Sequence, residues 1–291
     1  MVKSTINDDW KNYIVKQIEQ GVDKKKLENV LKKQNYSNDI INQLLNFNEI
    51  ESNLIEINNN NERTSDKISH SIDPLVTTYS NFISDEECEH FINISKNKLK
   101  QALVSVASKG IISKGRTGSN AWINHNFSEI TKNVGERIAK VIGIPLKNAE
   151  SFQIIHYDNN QEYRNHYDSW EHDNSEKTLR CMKYGGARLM TALCYLNSVE
   201  KGGGTRMSKL NITIPAEKGK LLVFQNTISK DNNNRHSLSE HAGTPVETGE
   251  KYAFNLWFRE CPINMIYKDF NPNYYRNNTI RHKKKKKNFK K

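Results

Sequence analysis

Beyond Ala149 the chain breaks into short runs of β-forming residues, each ended by a cluster of Gly, Asn or Asp, with no helical stretch between them. Phe152–Tyr157 and residues 189–196, 220–224 and 252–258 are the clearest of these runs. Successive short strands without crossover helices pair antiparallel and close into a sandwich or barrel. Two helices precede them. Ser84, followed three residues later by Glu87, is a capping-box signature. Ile130, Val134, Ile138 and Val141 share one face of a helix predicted over Glu129–Ile142. The expected fold class is mainly β with flanking helices (α+β): a jelly roll with two helices packed outside it.

The rest of the chain has a different texture. Between residues 8 and 50, Ile14, Ile18 and Val22, then Leu27, Val30 and Leu31, then Ile40, Ile41, Leu44 and Leu45 suggest three short helices. Asp23 and Ser37 stand at the N-cap positions of the second and third. We expect residues 1–57 to be a small helical domain, either an interaction module faintly like a ubiquitin-associated unit or a stabilising appendage. Residues 58–72, opening with Asn58–Asn61, show no apolar period and read as a linker. Residues 263–291 form a basic tail: its Lys-rich end from Arg281 onward supplies eight positive charges, leaving only about +3 of the net +11 elsewhere. The tail is expected to be solvated, with nucleic-acid or anionic-lipid contact as the lesser reading. Cys88, Cys181, Cys194 and Cys261 form no CxxC pair and fit free thiols in a reducing compartment. Residues 1–10 lack an apolar signal core and no run is long enough to span a membrane, so a soluble, cytoplasmic protein is expected.

The sharpest local motif is His166-Tyr167-Asp168. Residues two apart on a strand point to one face, so an imidazole and a carboxylate would project together. With a second imidazole they would occupy one face of Fe(II) and leave positions open. His172 and Asp173 offer a rival pair, and His236 and His241 compete to be the third ligand. The segment C-terminal to His241 favours that histidine. After a turn containing Pro245 and Gly249, a strand returns with Lys251, Ala253, Asn255 and Trp257 on one face and Tyr252, Phe254, Leu256 and Phe258 on the other. The second set is apolar and must pack against protein, which turns Lys251 into the interior. There it needs an anion, and a dicarboxylate co-substrate would supply one.

In order, Tyr157, Tyr163, His166-x-Asp168, Arg188-x-x-Thr191, Tyr195-Leu196-Asn197, Gly203-Gly204-Thr205, Lys218-Gly219, His241, Pro245-Val246, Gly249-x-Lys251 and Trp257 resemble the prolyl 4-hydroxylase pattern. The segments at residues 82–88 and 116–122 resemble its N-terminal helix entry and substrate loop, so that the likeness covers residues 73–262. The resemblance implies a double-stranded β-helix and an Fe(II)/2-oxoglutarate-dependent dioxygenase that hydroxylates peptidyl proline, using O2 and releasing succinate and CO2, with ascorbate as a further cofactor. It implies that His166, Asp168 and His241 bind the metal. Lys251, Tyr157 and Thr205 would hold 2-oxoglutarate, and Arg116, Tyr163, Arg188 and Trp257 would line the peptide groove. Met207 stands where the family usually has an aromatic and Gly118 where a serine is common. Both departures leave the peptide preference open. The alternatives are the same chemistry on another residue, a free amino acid or a small molecule, a nucleic-acid demethylase, and a non-catalytic binding protein. Lys251 speaks against the demethylase, where arginine usually holds the co-substrate.

Overall fold

A computed structural model describes residues 24–38, 65–105, 110–173, 175–229 and 233–267, together with Ile14, Ile41 and Leu45. The chain divides into two compact units, one of Met1–Glu62 with Lys140–Gly143 and one of Arg63–Ala139 with Ile144–Lys291.

The N-terminal unit contains one described helix, α1 (Lys24–Lys33), whose Leu27 and Leu31 are buried with Ile14, Tyr36, Ile41 and Leu45. The first and third helices expected there fall largely outside the described residues. The basic tail beyond residue 267, with its suggested nucleic-acid contact, lies wholly outside them.

The second unit carries the strands β1 (Lys67–Ile72), β2 (Leu75–Tyr79), β3 (Lys100–Gln101), β4 (Val104–Ser105), β5 (Gly110–Ile111) and β6 (Ser119–Ile123). Then come β7 (Phe152–Tyr157), β8 (Tyr163–His166), β9 (Arg188–Tyr195), β10 (Lys201–Gly202), β11 (Thr205–Met207) and β12 (Ile212–Ile214). The last are β13 (Leu221–Gln225), β14 (His241–Gly243), β15 (Val246–Thr248) and β16 (Lys251–Arg259). An eight-stranded antiparallel sheet runs β1-β2-β13-β9-β16-β7-β6-β3, and a four-stranded sheet runs β12-β11-β14-β8. Their apolar residues meet in one core, in which Ile155, Tyr157, Leu193, Tyr195, Phe224 and Ala253 of the large sheet lie with Met207 and Ile214 of the small one. The expected jelly roll is the fold observed.

Two helices cover the large sheet from outside. In α2 (Asp85–Ser95) the Ser84 hydroxyl accepts from the Glu87 N–H and the Glu87 carboxylate accepts from the Ser84 N–H, completing the capping box. The same carboxylate accepts from both terminal guanidinium nitrogens of Arg137 in α3 (Glu129–Ile142), at 2.9 and 2.8 Å. Phe91 of α2 packs edge-on against Phe152 and tilted against Phe254, with ring centroids 5.0 and 4.8 Å away. The apolar face of β16 is thus spent against a helix, which leaves its alternate face for the interior.

Three features differ from expectation. Residues 67–72, grouped with the linker, are the edge strand β1, paired with β2. Its side chains are mostly exposed on both faces, so Lys67–Ile72 carries no buried alternation to read. A further helix, α4 (Glu176–Met182), follows Ser175, which caps it by accepting from the Thr178 N–H. Its seven residues are too few for a periodic signal. Asp168 lies just beyond the end of β8 rather than on the strand. No helix among the described residues is long and apolar enough to cross a membrane, and all four cysteines are free.

Candidate metal centre

β8 and β14 lie side by side in the small sheet with His166 opposite His241. Each imidazole donates its Nδ1–H to a backbone carbonyl two residues upstream, His166 to Arg164 at 2.9 Å and His241 to Ser239 at 3.0 Å. That bond fixes the tautomer and leaves Nε2 as a lone-pair donor. The Nε2 atoms lie 3.7 and 3.5 Å from the two Asp168 carboxylate oxygens, and the donor atoms of all three side chains fall within 4.8 Å of one another.

The protonation states suit a cation. Burial, reinforced by the neighbouring His241, holds the His166 imidazole neutral by lowering its pKa to about 3. Burial alone would raise the Asp168 pKa, yet His241, His166 and Arg188 hold the carboxyl at about 2. Asp168 Oδ2 also accepts from the Thr191 hydroxyl at 2.7 Å, whose oxygen accepts in turn from Asn226 Nδ2 at 2.7 Å. Two imidazoles presenting Nε2 and one ionised carboxylate are a donor set for a divalent transition metal.

The centre opens into a cavity of about 840 Å³. On its wall Lys251 opposes Tyr157 across the β16–β7 ladder and is only 2% exposed. Burial alone pushes its ammonium down to about 7. The rings of Tyr195 and Tyr157 lie 5.2 and 5.8 Å from Nζ. A buried cation ringed by aromatics rather than acids is costly unless an anion meets it. The Tyr195 hydroxyl donates to Thr205 Oγ1 at 2.7 Å, and Thr205 and Tyr157 border the same cavity.

Arg116, Tyr163, Arg188 and Trp257 border it too. Tyr163 stacks on His166 with ring centroids 3.6 Å apart, and the Arg116 guanidinium sits 4.7 Å from the Tyr163 ring. Arg188 stacks 3.6 Å from the Trp257 ring and is held by Glu150 through Nε at 2.6 Å and a terminal nitrogen at 2.8 Å. Glu150 also receives Arg259 Nε at 2.7 Å. Burial would raise the Glu150 pKa, but Arg188 and Arg259 hold the carboxyl at about 2. Arg188 is therefore an ion-pair partner as well as a cavity residue. The rival ligands go elsewhere: His172 bonds the Asn233 carbonyl and His236 pairs with Asp73.

The sequence profile of the 2OG-Fe(II) oxygenase superfamily matches residues 152–259, which includes all three metal-site residues and Lys251. A putative prolyl 4-hydroxylase of Acanthamoeba polyphaga mimivirus is 35% identical over 182 residues, covering 62% of this chain and 72% of the relative. The chain belongs to the prolyl 4-hydroxylase-like family of 2OG-Fe(II) oxygenases. Probable prolyl 4-hydroxylase 7 of Arabidopsis thaliana is 34% identical over 204 residues, and the chain spans 62% of its length. Among solved structures, the viral collagen prolyl hydroxylase of Paramecium Bursaria Chlorella virus-1, in its 2OG complex, superposes with a TM-score of 0.51 at 27% identity, covering 63% of this chain and 95% of that one.

The supporting residues of this family member were not assigned from sequence. Thr191 and Asn226 brace Asp168, and Glu150 holds two buried guanidiniums. Gln153 and Asn255 face the cavity. Strand alternation already placed Asn255 on the Lys251 face. Glu150 and Asn226 carry no such local signal, because their partners lie 38 and 35 residues away.

Proposed function

We propose that this chain is an Fe(II)/2-oxoglutarate-dependent dioxygenase that hydroxylates peptidyl proline at the 4-position, with succinate and CO2 as co-products. The observation that carries the reading is one cavity bordered by the His166–Asp168–His241 donor set and by the buried, acid-free ammonium of Lys251. The prolyl hydroxylases among its relatives support the substrate.

His166 Nε2, His241 Nε2 and the Asp168 carboxylate would hold Fe(II), which when bound supplies the oxygen-activating redox chemistry of the family. The two carbonyl-anchored imidazoles cannot rotate away without breaking their Nδ1–H bonds, so the donor set is preorganised. Lys251 neutralises the distal carboxylate of 2-oxoglutarate, with Tyr157 and the Tyr195-bonded Thr205 beside it as polar partners. Trp257, fixed by the Glu150-anchored Arg188, forms an apolar wall that keeps water from the reacting C–H bond, and Arg116 and Tyr163 border the substrate side. Ascorbate is the reductant we propose for keeping the metal ferrous. We assign the dioxygenase domain to residues 73–262 extended upstream to take in β1, and leave residues 1–57 as a separate interaction or stabilising unit. The four free thiols favour the cytoplasm over an oxidising compartment.

The test is incubation with proline-containing peptides, Fe(II), 2-oxoglutarate and ascorbate. Proline should gain the mass of one oxygen atom, with stoichiometric succinate, and the His241→Ala protein should do neither. Turnover that survives His241→Ala overturns the assignment.

A further inference from the structure

A polar pair in the cavity is used by none of the roles above. Gln153 of β7 and Asn255 of β16 are register partners, two pleats along the same inward face from Tyr157 and Lys251. Trp122 of β6 is the register partner of Gln153 on the other side and is half exposed. The row Trp122–Gln153–Asn255 thus crosses three strands on the cavity wall.

The orientation of both amides follows from donor chemistry. Arg116 can only donate, and its terminal nitrogen lies 3.0 Å from the Gln153 side chain, so the atom it meets must be the oxygen, Oε1. Asn255 lies 3.4 Å from that same oxygen, so it must present Nδ2 there. Gln153 Nε2 and Asn255 Oδ1 are therefore turned away from this network. Neither has a hydrogen-bond partner among the described residues, although Gln153 is only 2% exposed. Nor is either atom sealed off from solvent. In the open cavity water can take this N–H pair and this oxygen, and a ligand that displaces the water must offer an acceptor and a donor in its place.

A donor beside an acceptor on a pleated wall matches one extended residue of a peptide, whose C=O and N–H project to the same side. We propose that Gln153 Nε2 donates to the carbonyl, and Asn255 Oδ1 accepts the N–H, of a substrate residue flanking the target proline. Proline has no N–H, so the residue read must be a non-proline neighbour. The pair therefore selects against proline at one flank of the modified position, while Trp122 offers the neighbouring side chain an aromatic surface. This inference rests on the proposed peptidyl-proline reading.

The test compares a hydroxylated parent peptide with two versions N-methylated at the residue before or after the proline. Wild-type kcat/KM should fall about tenfold for one of the two, the loss of a single hydrogen bond to a buried group. In Asn255→Leu the parent peptide should already show that loss, and N-methylation should add nothing. Gln153→Glu keeps the acceptor for Arg116 and replaces only the free donor. It should raise the peptide KM about tenfold without a matching rise in the KM for 2-oxoglutarate. The inference is overturned if N-methylation at neither flank matters, if its penalty persists in Asn255→Leu, or if Gln153→Glu acts on 2-oxoglutarate instead. Turnover of the parent peptide reports separately on the underlying reading, and a chain that hydroxylates no peptide refutes both.

Discussion

Replacing Lys251 with methionine removes a charge that the ligand-free protein holds at a disadvantage. The ammonium sits near pKa 7 in the fold because burial disfavours the charged form, whereas in the unfolded chain it returns to roughly 10.4. Below pH 7 both states are protonated and this group adds no slope. Between these two values the unfolded chain holds a proton that the native state lacks, so stability rises with pH at about 1.4 kcal/mol per unit. From pH 7 to 9 the gain is about 2–3 kcal/mol, or roughly 5–10 °C in Tm for a domain of this size. Thermal unfolding of the metal-free protein across that range should show the slope in wild type, and the difference should vanish in Lys251→Met. The variant should also be the more stable of the two at neutral pH. 2-Oxoglutarate should reverse the order by stabilising only wild type, and the KM of Lys251→Met should rise roughly tenfold to a hundredfold, as expected for a lost charge-assisted contact. Equal pH slopes in the two proteins would refute the argument that Lys251 is a desolvated cation awaiting an anion.

Two further outcomes test the supports of the site. Thr191→Val leaves Asp168 without its hydroxyl donor and strands Asn226 Nδ2, and should weaken Fe(II) affinity 10- to 100-fold by metal titration while the fold persists. Glu150→Gln leaves the Arg188 and Arg259 guanidiniums buried without a counter-charge, and should lower stability by roughly 3–5 kcal/mol in urea unfolding. Because the Glu150 pKa is depressed to about 2, wild type should lose the same stabilisation as pH falls below the ordinary carboxylate range, and the variant should not.

What could be read in the sequence was what the chain writes locally. The run 152–157 has the strand bounds found in β7, the apolar face of 129–142 gives α3, and Ser84 with Glu87 gives the cap of α2. The same alternation put Lys251 inside before any partner was known, since Phe254 and its neighbours had to pack against protein. Features that depend on partners far along the chain were not legible. Nothing near Asp168 announces Thr191, whereas Lys67–Ile72 went unread for a different reason: its partner β2 begins three residues on, but the strand buries no face that would mark it. Strand spacing put the carboxylate beside its imidazole for the wrong local reason: β8 ends at His166, and the turn after it delivers Asp168. The choice of His241 over His236 rested on that same alternation, through the strand that turns Lys251 inward, and the succession of motifs agreed with it.

The two histidines of the proposed metal centre are steadied by main-chain oxygens of Arg164 and Ser239, and a main-chain oxygen survives every substitution short of a broken backbone. The carboxylate is steadied by side chains alone. Evolutionary drift or protein engineering can therefore retune this centre at Thr191 and Asn226, while the imidazole half of the coordination sphere stays as fixed as the sheet that carries it.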